Sequence, residues 1–105
     1  MASHLLKAVH GWTDRGLGDY RLHFLQDVVG REVDFLVTRD DRPWFLVEVK
    51  TSERQLHAPL AYFQDATKAD HAFQLVRNLD PVQKDCFAVP TPIVVPAVSF
   101  LSQLV

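Results

Sequence analysis

Two short apolar segments that carry charged residues inside them most constrain the fold of this chain. They run from Arg31 to Val37 and from Trp44 to Lys50, and the alternation of Val, Phe and Leu predicts a β-strand in each. The residues between them, Arg-Asp-Asp-Arg-Pro at 39–43, are typical of a turn. We therefore expect the two segments to form an antiparallel hairpin.

This hairpin is predicted to bring three charged side chains to one face. If the turn centres near Asp41, antiparallel pairing sets Asp34 opposite Glu48, and side-chain alternation puts Lys50 on the same face. Three large apolar residues are expected to share that face: Leu36, Trp44 and Leu46. The opposite face is expected to be apolar throughout and to form the core, with Val33, Phe35, Val37, Phe45, Val47 and Val49.

The two neighbouring carboxylates, Asp34 and Glu48, need an explanation because they repel each other and lose hydration when partly buried. A divalent cation would offset that charge, and so would the ammonium group of Lys50. The simpler alternative is a cross-strand ion-pair cluster, which contributes only about 0.2–1 kcal/mol. From the residues alone, the metal site and the ion-pair cluster both remain open.

The size and composition predict one small globular domain spanning residues 1–105. The chain has 105 residues, of which 48% are hydrophobic and 23% charged, and no apolar run approaches the ~20 residues that cross a bilayer. The N-terminus lacks the pattern of a signal peptide, so we expect a cytoplasmic protein without a membrane partner. Cys86 is the single cysteine and is expected to be a buried thiol.

The charge balance limits any function that depends on nucleic acid. The formal net charge is −2, and the arginines and lysines are scattered along the chain instead of forming a run. Non-specific affinity for nucleic acid comes mainly from basic residues that neutralise phosphates. The most that the composition predicts is weak or assisted binding of nucleic acid.

Hydrophobic periodicity and turn residues predict an α/β (α+β) fold with element order α-β-β-β-α-β and a C-terminal β-α tail. Ser3 is a possible cap for the first helix, Pro59 marks the start of the second, and Pro96 is expected to begin the last. A polar loop is expected over 78–85. The strand after the second helix is expected to pair in parallel with the third strand. The predicted elements are a helix over 3–12, strands over 20–26, 31–37 and 44–50, a helix over 59–68, strands over 71–76 and 93–95, and a helix over 97–104.

The predicted meander carries an acid on its second strand and Glu-x-Lys on its third strand, and a helix and another strand follow. This order resembles the PD-(D/E)XK restriction-endonuclease-like superfamily. Four segments of the chain resemble one narrower group. They are Glu32-Val33-Asp34-Phe35-Leu36-Val37, Phe45-Leu46-Val47-Glu48-Val49-Lys50, Val95-Pro96-Ala97 and, after these, Phe100-Leu101-Ser102-Gln103-Leu104. That group is the nuclease-like C-terminal domain of unknown function carried by many bacterial and archaeal AAA-type ATPases.

The resemblance implies a mixed sheet flanked by helices, with Asp34 and Glu48 as ligands of Mg²⁺ or Mn²⁺. It also implies that Lys50 would orient or activate a water molecule during phosphodiester hydrolysis. Many members carry a further acid on the first helix, whereas residues 3–12 contain no Asp or Glu. The chain is therefore expected to be truncated at its N-terminal helix, with metal affinity and hydrolysis reduced.

Other residues are weaker candidates for a site. Glu32 and Thr38 share the charged face but are expected to be exposed to solvent, and Gln64 is a weak additional candidate on the second helix. Trp12 and Trp44 are expected to pack in the core or at its rim. The histidines lack the spacing of a metal site and are expected to be structural or exposed: His4, His10, His23, His57 and His71.

Three hypotheses about function follow. The first is a metal-dependent nuclease, or a nucleic-acid-binding remnant of one. The second is a non-catalytic domain that docks on an AAA-type ATPase or associates with itself as a homodimer. The third is a fragment of a longer gene that has kept only a foldable core, because no Gly-rich phosphate loop of the ATPase kind occurs in the chain.

Overall fold

A computed structural model describes residues 2–27, 29–80 and 85–104 of the chain. It has the predicted α-β-β-β-α-β order followed by a β-α tail, and the predicted α+β class is confirmed. Residues 81–84 of the predicted polar loop lie outside the described residues. The elements are α1 (Ala2–Asp14), β1 (Tyr20–Gln26), β2 (Glu32–Arg39), β3 (Arg42–Lys50), α2 (Ala58–Thr67), β4 (His71–Val76), a 3₁₀ turn (Cys86–Ala88), β5 (Ile93–Pro96) and α3 (Ala97–Ser102).

The strands form one mixed sheet in the order β1-β2-β3-β4-β5. The first three strands are an antiparallel meander, and β4 and β5 then add to it in parallel, as the sequence predicts for β4. Asp40 and Asp41 have φ angles of 52° and 66° between β2 and β3. Two positive φ angles in a two-residue connection are the signature of a type I′ turn, whose twist matches that of the paired strands.

One face of the sheet, here called the α1 face, packs against α1 and α3. Phe45 and Phe73 are fully buried there at the centre of a ring of aromatic contacts with Phe87 and Phe100. Cys86 is buried in the same cluster, as expected. The main cluster on this face contains Leu5, Val9, Trp12, Tyr20, Phe35, Val37, Phe45, Val47, Phe73, Leu75, Cys86, Val95, Ala97, Phe100 and Leu104.

The opposite face, called the α2 face, is covered by α2. Leu60 and Phe63 point from the helix onto Leu36 and Leu46 of the hairpin. Pro59 lies in the first turn of α2, and Lys68 ends the helix with a left-handed φ of 61°, so both predicted boundaries are confirmed. The α2 face therefore combines a small apolar cluster with the charged residues of β2 and β3.

Two predicted side-chain directions on the hairpin are wrong, because each strand pair contains an irregularity. The pairing of β2 with β3 shifts between Val37 and Thr38, which leaves Trp44 as an extra residue in β3. Trp44 consequently packs on the α1 face, against Trp12. A second shift, between β1 and β2, puts Val33 in the α2-face cluster instead of on the α1 face.

The predicted ends of the first and last helices also need correction. α1 begins at Ala2, so Ser3 lies inside the helix and is not its cap. Pro96 is the last residue of β5, and α3 runs only from Ala97 to Ser102. Among the described residues, no helix has both the length and the apolar character needed to cross a membrane.

Candidate functional site

The candidate site lies where β2 and β3 stop pairing through their main chains. The regular ladder between them ends at the pair Phe35 and Val47. Beyond that pair, the main-chain N–H of Asp34 donates to Oε1 of Glu48 at 3.0 Å, and the N–H of Val49 donates to Oδ2 of Asp34 at 2.9 Å. Each carboxylate thus replaces a ladder hydrogen bond on the opposite strand, and the two acids are held in a fixed relation.

Lys50 completes the group that the hairpin geometry predicts. Its Nζ lies 3.4 Å from Oε2 of Glu48, whose side chain is only 8% exposed. Asp34 and Lys50 are half-buried, so the group lies at the rim of the sheet, where solvent reaches it. The three side chains do come together in space, whereas their roles as metal ligands and catalytic groups stay predictions.

Each carboxylate also keeps an oxygen that the main chain does not use. Among the described residues, Oδ1 of Asp34 accepts no hydrogen bond. Oε2 of Glu48 is contacted there only by the ammonium group of Lys50 and the imidazole of His57. Carboxylate oxygens are the ligands that Mg²⁺ and Mn²⁺ prefer, and Mg²⁺ commonly takes one or two carboxylates with several waters. The donor chemistry of Asp34 and Glu48 therefore fits a hydrated divalent cation.

Among the described residues, the two acids are not part of a larger group of metal-ligating side chains. Within the ranges that the structure describes, no group of three or more His, Cys, Asp or Glu side chains could hold a metal ion. Asp14 is the last residue of α1. Its neighbour Thr13 contacts Tyr20 near the hairpin turn, so Asp14 lies away from Asp34.

Sequence reasoning missed two residues that border the group, His57 and Gln74. Nε2 of His57 lies 3.6 Å from Oε2 of Glu48, and Gln74 on β4 is the register partner of Glu48 on β3. Gln74 is fully buried. A signal was present, because Gln74 is a polar residue inside the apolar run His-Ala-Phe-Gln-Leu-Val of a strand predicted to lie beside β3.

The weaker candidates lie away from the acids. Glu32 is exposed, as expected, but Thr38 is buried and its hydroxyl lies 3.1 Å from Nε2 of His23, so its predicted exposure is wrong. Gln64 donates to the carbonyls of Ala69 and Pro90, which ties the end of α2 to the segment before β5. Among the described residues, no contact joins the side chain of Glu32, Thr38 or Gln64 to Asp34, Glu48 or Lys50.

The turn that leads into β2 is fixed by Asp27. Its carboxylate accepts hydrogen bonds from the main-chain N–H groups of Val29 and Arg31 and from Nε of Arg31, the last at 2.6 Å. Burial alone would raise the pKa of the Asp27 carboxyl, but these bonds and the charge of Arg31 hold that pKa below its ordinary value. Asp27 thereby orders the chain just before Asp34.

A basic and aromatic pair lies on the same rim. The guanidinium of Arg31 lies 3.5 Å from the centroid of the Tyr62 ring, a cation–π contact between the start of β2 and α2. Both side chains are exposed, and Arg31 is three residues before Asp34, or about 10 Å along an extended chain. The start of β2 therefore presents a guanidinium group and an aromatic ring to solvent, and that guanidinium is also paired with Asp27.

A surface cavity of about 510 Å³ lies at the other end of the hairpin, next to the turn and the end of α2. Its lining mixes acids and bases with Trp44. It includes neither Asp34 nor Glu48, so it is separate from the candidate site.

Comparison with known proteins gives one match. A family model described as a domain of unknown function (DUF4143) matches residues 2–94. No curated protein and no solved structure matches the chain. The predicted place among domains of unknown function is confirmed, while the relation to the PD-(D/E)XK superfamily stays a prediction. Because the match covers most of the chain, the protein belongs to the DUF4143 family of domains of unknown function.

Proposed function

We propose that this domain binds Mg²⁺ or Mn²⁺ weakly through Asp34 and Glu48, in a nuclease-like site that acts on nucleic-acid phosphodiesters. The observation that carries the proposal is the reciprocal pair of bonds from Asp34 N–H to Glu48 and from Val49 N–H to Asp34. Each acid uses one carboxylate oxygen in these bonds, and the second oxygen of each is the one that we propose for the cation. A cross-strand ion-pair cluster would not need the two acids to be fixed to each other.

The residues of the site have distinct roles in this proposal. Asp34 and Glu48 hold the ion, which when bound would polarise a phosphate oxygen and acidify a water molecule. Lys50 stabilises negative charge on the phosphate and orients the attacking water. Arg31 and Tyr62 lie on the rim and contact the nucleic-acid strand through charge and stacking.

The weakness of the site follows from its ligand set. Two protein carboxylates leave the remaining coordination positions of the ion to water. The ammonium group of Lys50, 3.4 Å from Glu48 Oε2, also competes with the cation for that oxygen. The net charge of −2 supplies little general attraction for nucleic acid, so we propose a cytoplasmic partner, an AAA-type ATPase, that brings the domain to its substrate.

Calorimetric titration with Mn²⁺ tests the metal site. The wild-type protein is expected to bind one ion per chain, and Asp34→Asn and Glu48→Gln are expected to abolish that binding while keeping the main-chain hydrogen bonds. Asp65→Asn is the matched control, because Asp65 is an exposed carboxylate that pairs with Lys68 on α2. Absence of Mn²⁺ binding by the wild type, or equal binding by Asp34→Asn, would overturn the proposal.

A second function is favoured by the ion pair between Lys50 and Glu48, because the ammonium group offsets the charge of that carboxylate without any cation. In that case the charged group is structural, and the domain is a non-catalytic module that docks on an ATPase or forms a homodimer. Phe24, which is 76% exposed on the edge strand β1, is the apolar surface that such an association would cover. Sedimentation analysis should then find an association that Glu48→Gln leaves unchanged, and dissociation of a still-folded variant would exclude it.

A further inference from the structure

Gln74 is a fully buried polar side chain on β4, an interior strand of the sheet. It lies on β4 between Phe73 and Leu75, which are also fully buried, and it is the register partner of Glu48. A buried amide loses its bonds to water, so it is stable only if protein groups satisfy it. The position of its partners therefore shows what this residue does.

Within the described part of the chain, the hydrogen bonds of the Gln74 amide all go to the main chain of the loop between β3 and α2. Its Oε1 accepts from the N–H of His57 at 2.7 Å, and its Nε2 donates to the carbonyls of Glu53 and Gln55 at 3.1 and 2.8 Å. One side chain thus fixes three points of the loop. The loop otherwise consists mostly of exposed residues, so Gln74 determines where it lies.

Because His57 is one of the three anchored points of the loop, Gln74 also fixes the position of His57. Nε2 of His57 lies 3.0 Å from the carbonyl oxygen of Glu32, and since a carbonyl can only accept, Nε2 carries the hydrogen. The same nitrogen lies 3.6 Å from Oε2 of Glu48. His57 therefore spans β2 and β3 at the place where their ladder has ended.

We infer that His57 and Gln74 are positioning residues of the Asp34 and Glu48 site. Gln74 holds the loop, the loop holds His57, and His57 keeps β2 and the Glu48 carboxylate in register for the bond from Asp34 N–H. The metal-binding part of this inference rests on the proposed function. The positioning of the Glu48 carboxylate by His57 does not rest on that function, because it depends only on the contacts given above.

The inference requires His57→Ala to loosen Glu48 selectively. Amide hydrogen exchange measures this directly, because the Asp34 N–H is protected by Glu48 Oε1. In His57→Ala, exchange at Asp34 is expected to rise about fivefold relative to the ladder amides of β3 and β4 in the same sample. His57→Gln, whose amide Nε2 can replace the imidazole Nε2 as a donor, should restore part of the protection. A Gln74→Leu variant should resemble His57→Ala.

His71→Ala is the matched control. His71 is also half-buried on the sheet and bonds one carbonyl, that of Val89 at 2.8 Å, but it lies at the opposite end of β4. This variant should leave the relative exchange at Asp34 unchanged. If His57→Ala also leaves it unchanged, the inference is wrong, and this result stands even if Gln74→Leu does not fold.

Mn²⁺ titration separates the inference from the proposed function. If the wild type binds Mn²⁺, His57→Ala should weaken binding by about 10-fold or more, as loss of an outer-shell partner does, and His71→Ala should not. Unchanged affinity in His57→Ala would overturn the inference for the metal site. If the wild type binds no Mn²⁺ but exchange at Asp34 rises, the proposed function fails and the positioning of Glu48 by His57 holds.

Discussion

The main-chain N–H of Asp34 donates to Oε1 of Glu48 across the point where β2 and β3 part, and the two acids are thereby fixed to each other. An acid that bonds the opposite strand keeps a strand end from fraying. In return, the Asp34 carboxylate accepts from the N–H of Val49, so each acid uses one carboxylate oxygen on the opposite strand. The stability of this strand end and the proposed cation binding therefore involve the same two residues, and the variants below separate the two.

Replacement of Asp34 should separate its hydrogen bond from its charge. Asp34→Ala leaves the N–H of Val49 without its acceptor, and we expect a loss of about 1–3 kcal/mol in the free energy of unfolding. Asp34→Asn keeps a carbonyl acceptor and should lose clearly less. Urea denaturation of the two variants measures both values. Equal losses would show that the bond to Val49 contributes little.

Removal of Lys50 should make the fold depend on divalent cations. Lys50→Met takes away the ammonium group beside Glu48, so the two carboxylates repel without that compensation. We expect a loss of about 1–2 kcal/mol in a chelator, and partial recovery in excess Mg²⁺. Urea denaturation with and without Mg²⁺ gives the comparison. A Mg²⁺ effect no larger than that in the wild type would count against a cation at this place.

The ordering of the turn before β2 should depend on pH. The folded pKa of Asp27 is below its unfolded value of about 3.9, so the ionised form stabilises the fold at neutral pH, and that contribution is lost as the pH falls through the folded pKa. Asp27→Asn should therefore be less stable than the wild type at pH 7, and the difference should disappear at strongly acidic pH. Thermal unfolding across this pH range measures it.

Asp65→Asn provides the control for that experiment, since the Asp65 and Lys68 side chains are 89% and 81% exposed. Its unfolding temperature should follow that of the wild type at every pH. A difference between Asp27→Asn and the wild type that persists at strongly acidic pH would contradict the assigned role of the Asp27 carboxylate.

The packing of α2 on the hairpin should depend on the buried side chains of the helix and not on the segment just before it. Leu60 is fully buried against the hairpin, whereas Leu56, just before the helix, is 42% exposed. Leu60→Ala should cost about 2–5 kcal/mol, and Leu56→Ala no more than about 0.5 kcal/mol. Chemical denaturation measures both. Similar costs would mean that α2 does not pack as described.

The order of elements and the meeting of Asp34, Glu48 and Lys50 could be predicted because both depend on local patterns. Alternating apolar residues determine the strands, and the position of the turn determines which residues face each other. The direction of the Trp44 side chain could not be predicted, because a single extra residue in a strand reverses the direction of the side chains that follow. Such a residue cannot be recognised from the alternation of apolar and polar residues in the sequence. The direction of Val33 could not be predicted for the same reason.

The positions of His57 and Gln74 could not be predicted from spacing. Their relation depends on β4 lying in parallel beside β3 in the register that pairs Gln74 with Glu48, and on a loop whose path its own sequence does not define. A polar residue in a predicted central strand was the available sign of that relation. It identifies a buried residue that needs partners, but not the loop that supplies them.

The most direct test of the central claim is the location of bound Mn²⁺ by paramagnetic broadening in the amide spectrum of the isotope-labelled protein. If Asp34 and Glu48 hold the ion, substoichiometric Mn²⁺ should first broaden the resonances of Asp34, Glu48 and Val49, and Asp34→Asn should remove this selectivity. Broadening that centres elsewhere, or that is the same in Asp34→Asn, would contradict a metal site between these two strands.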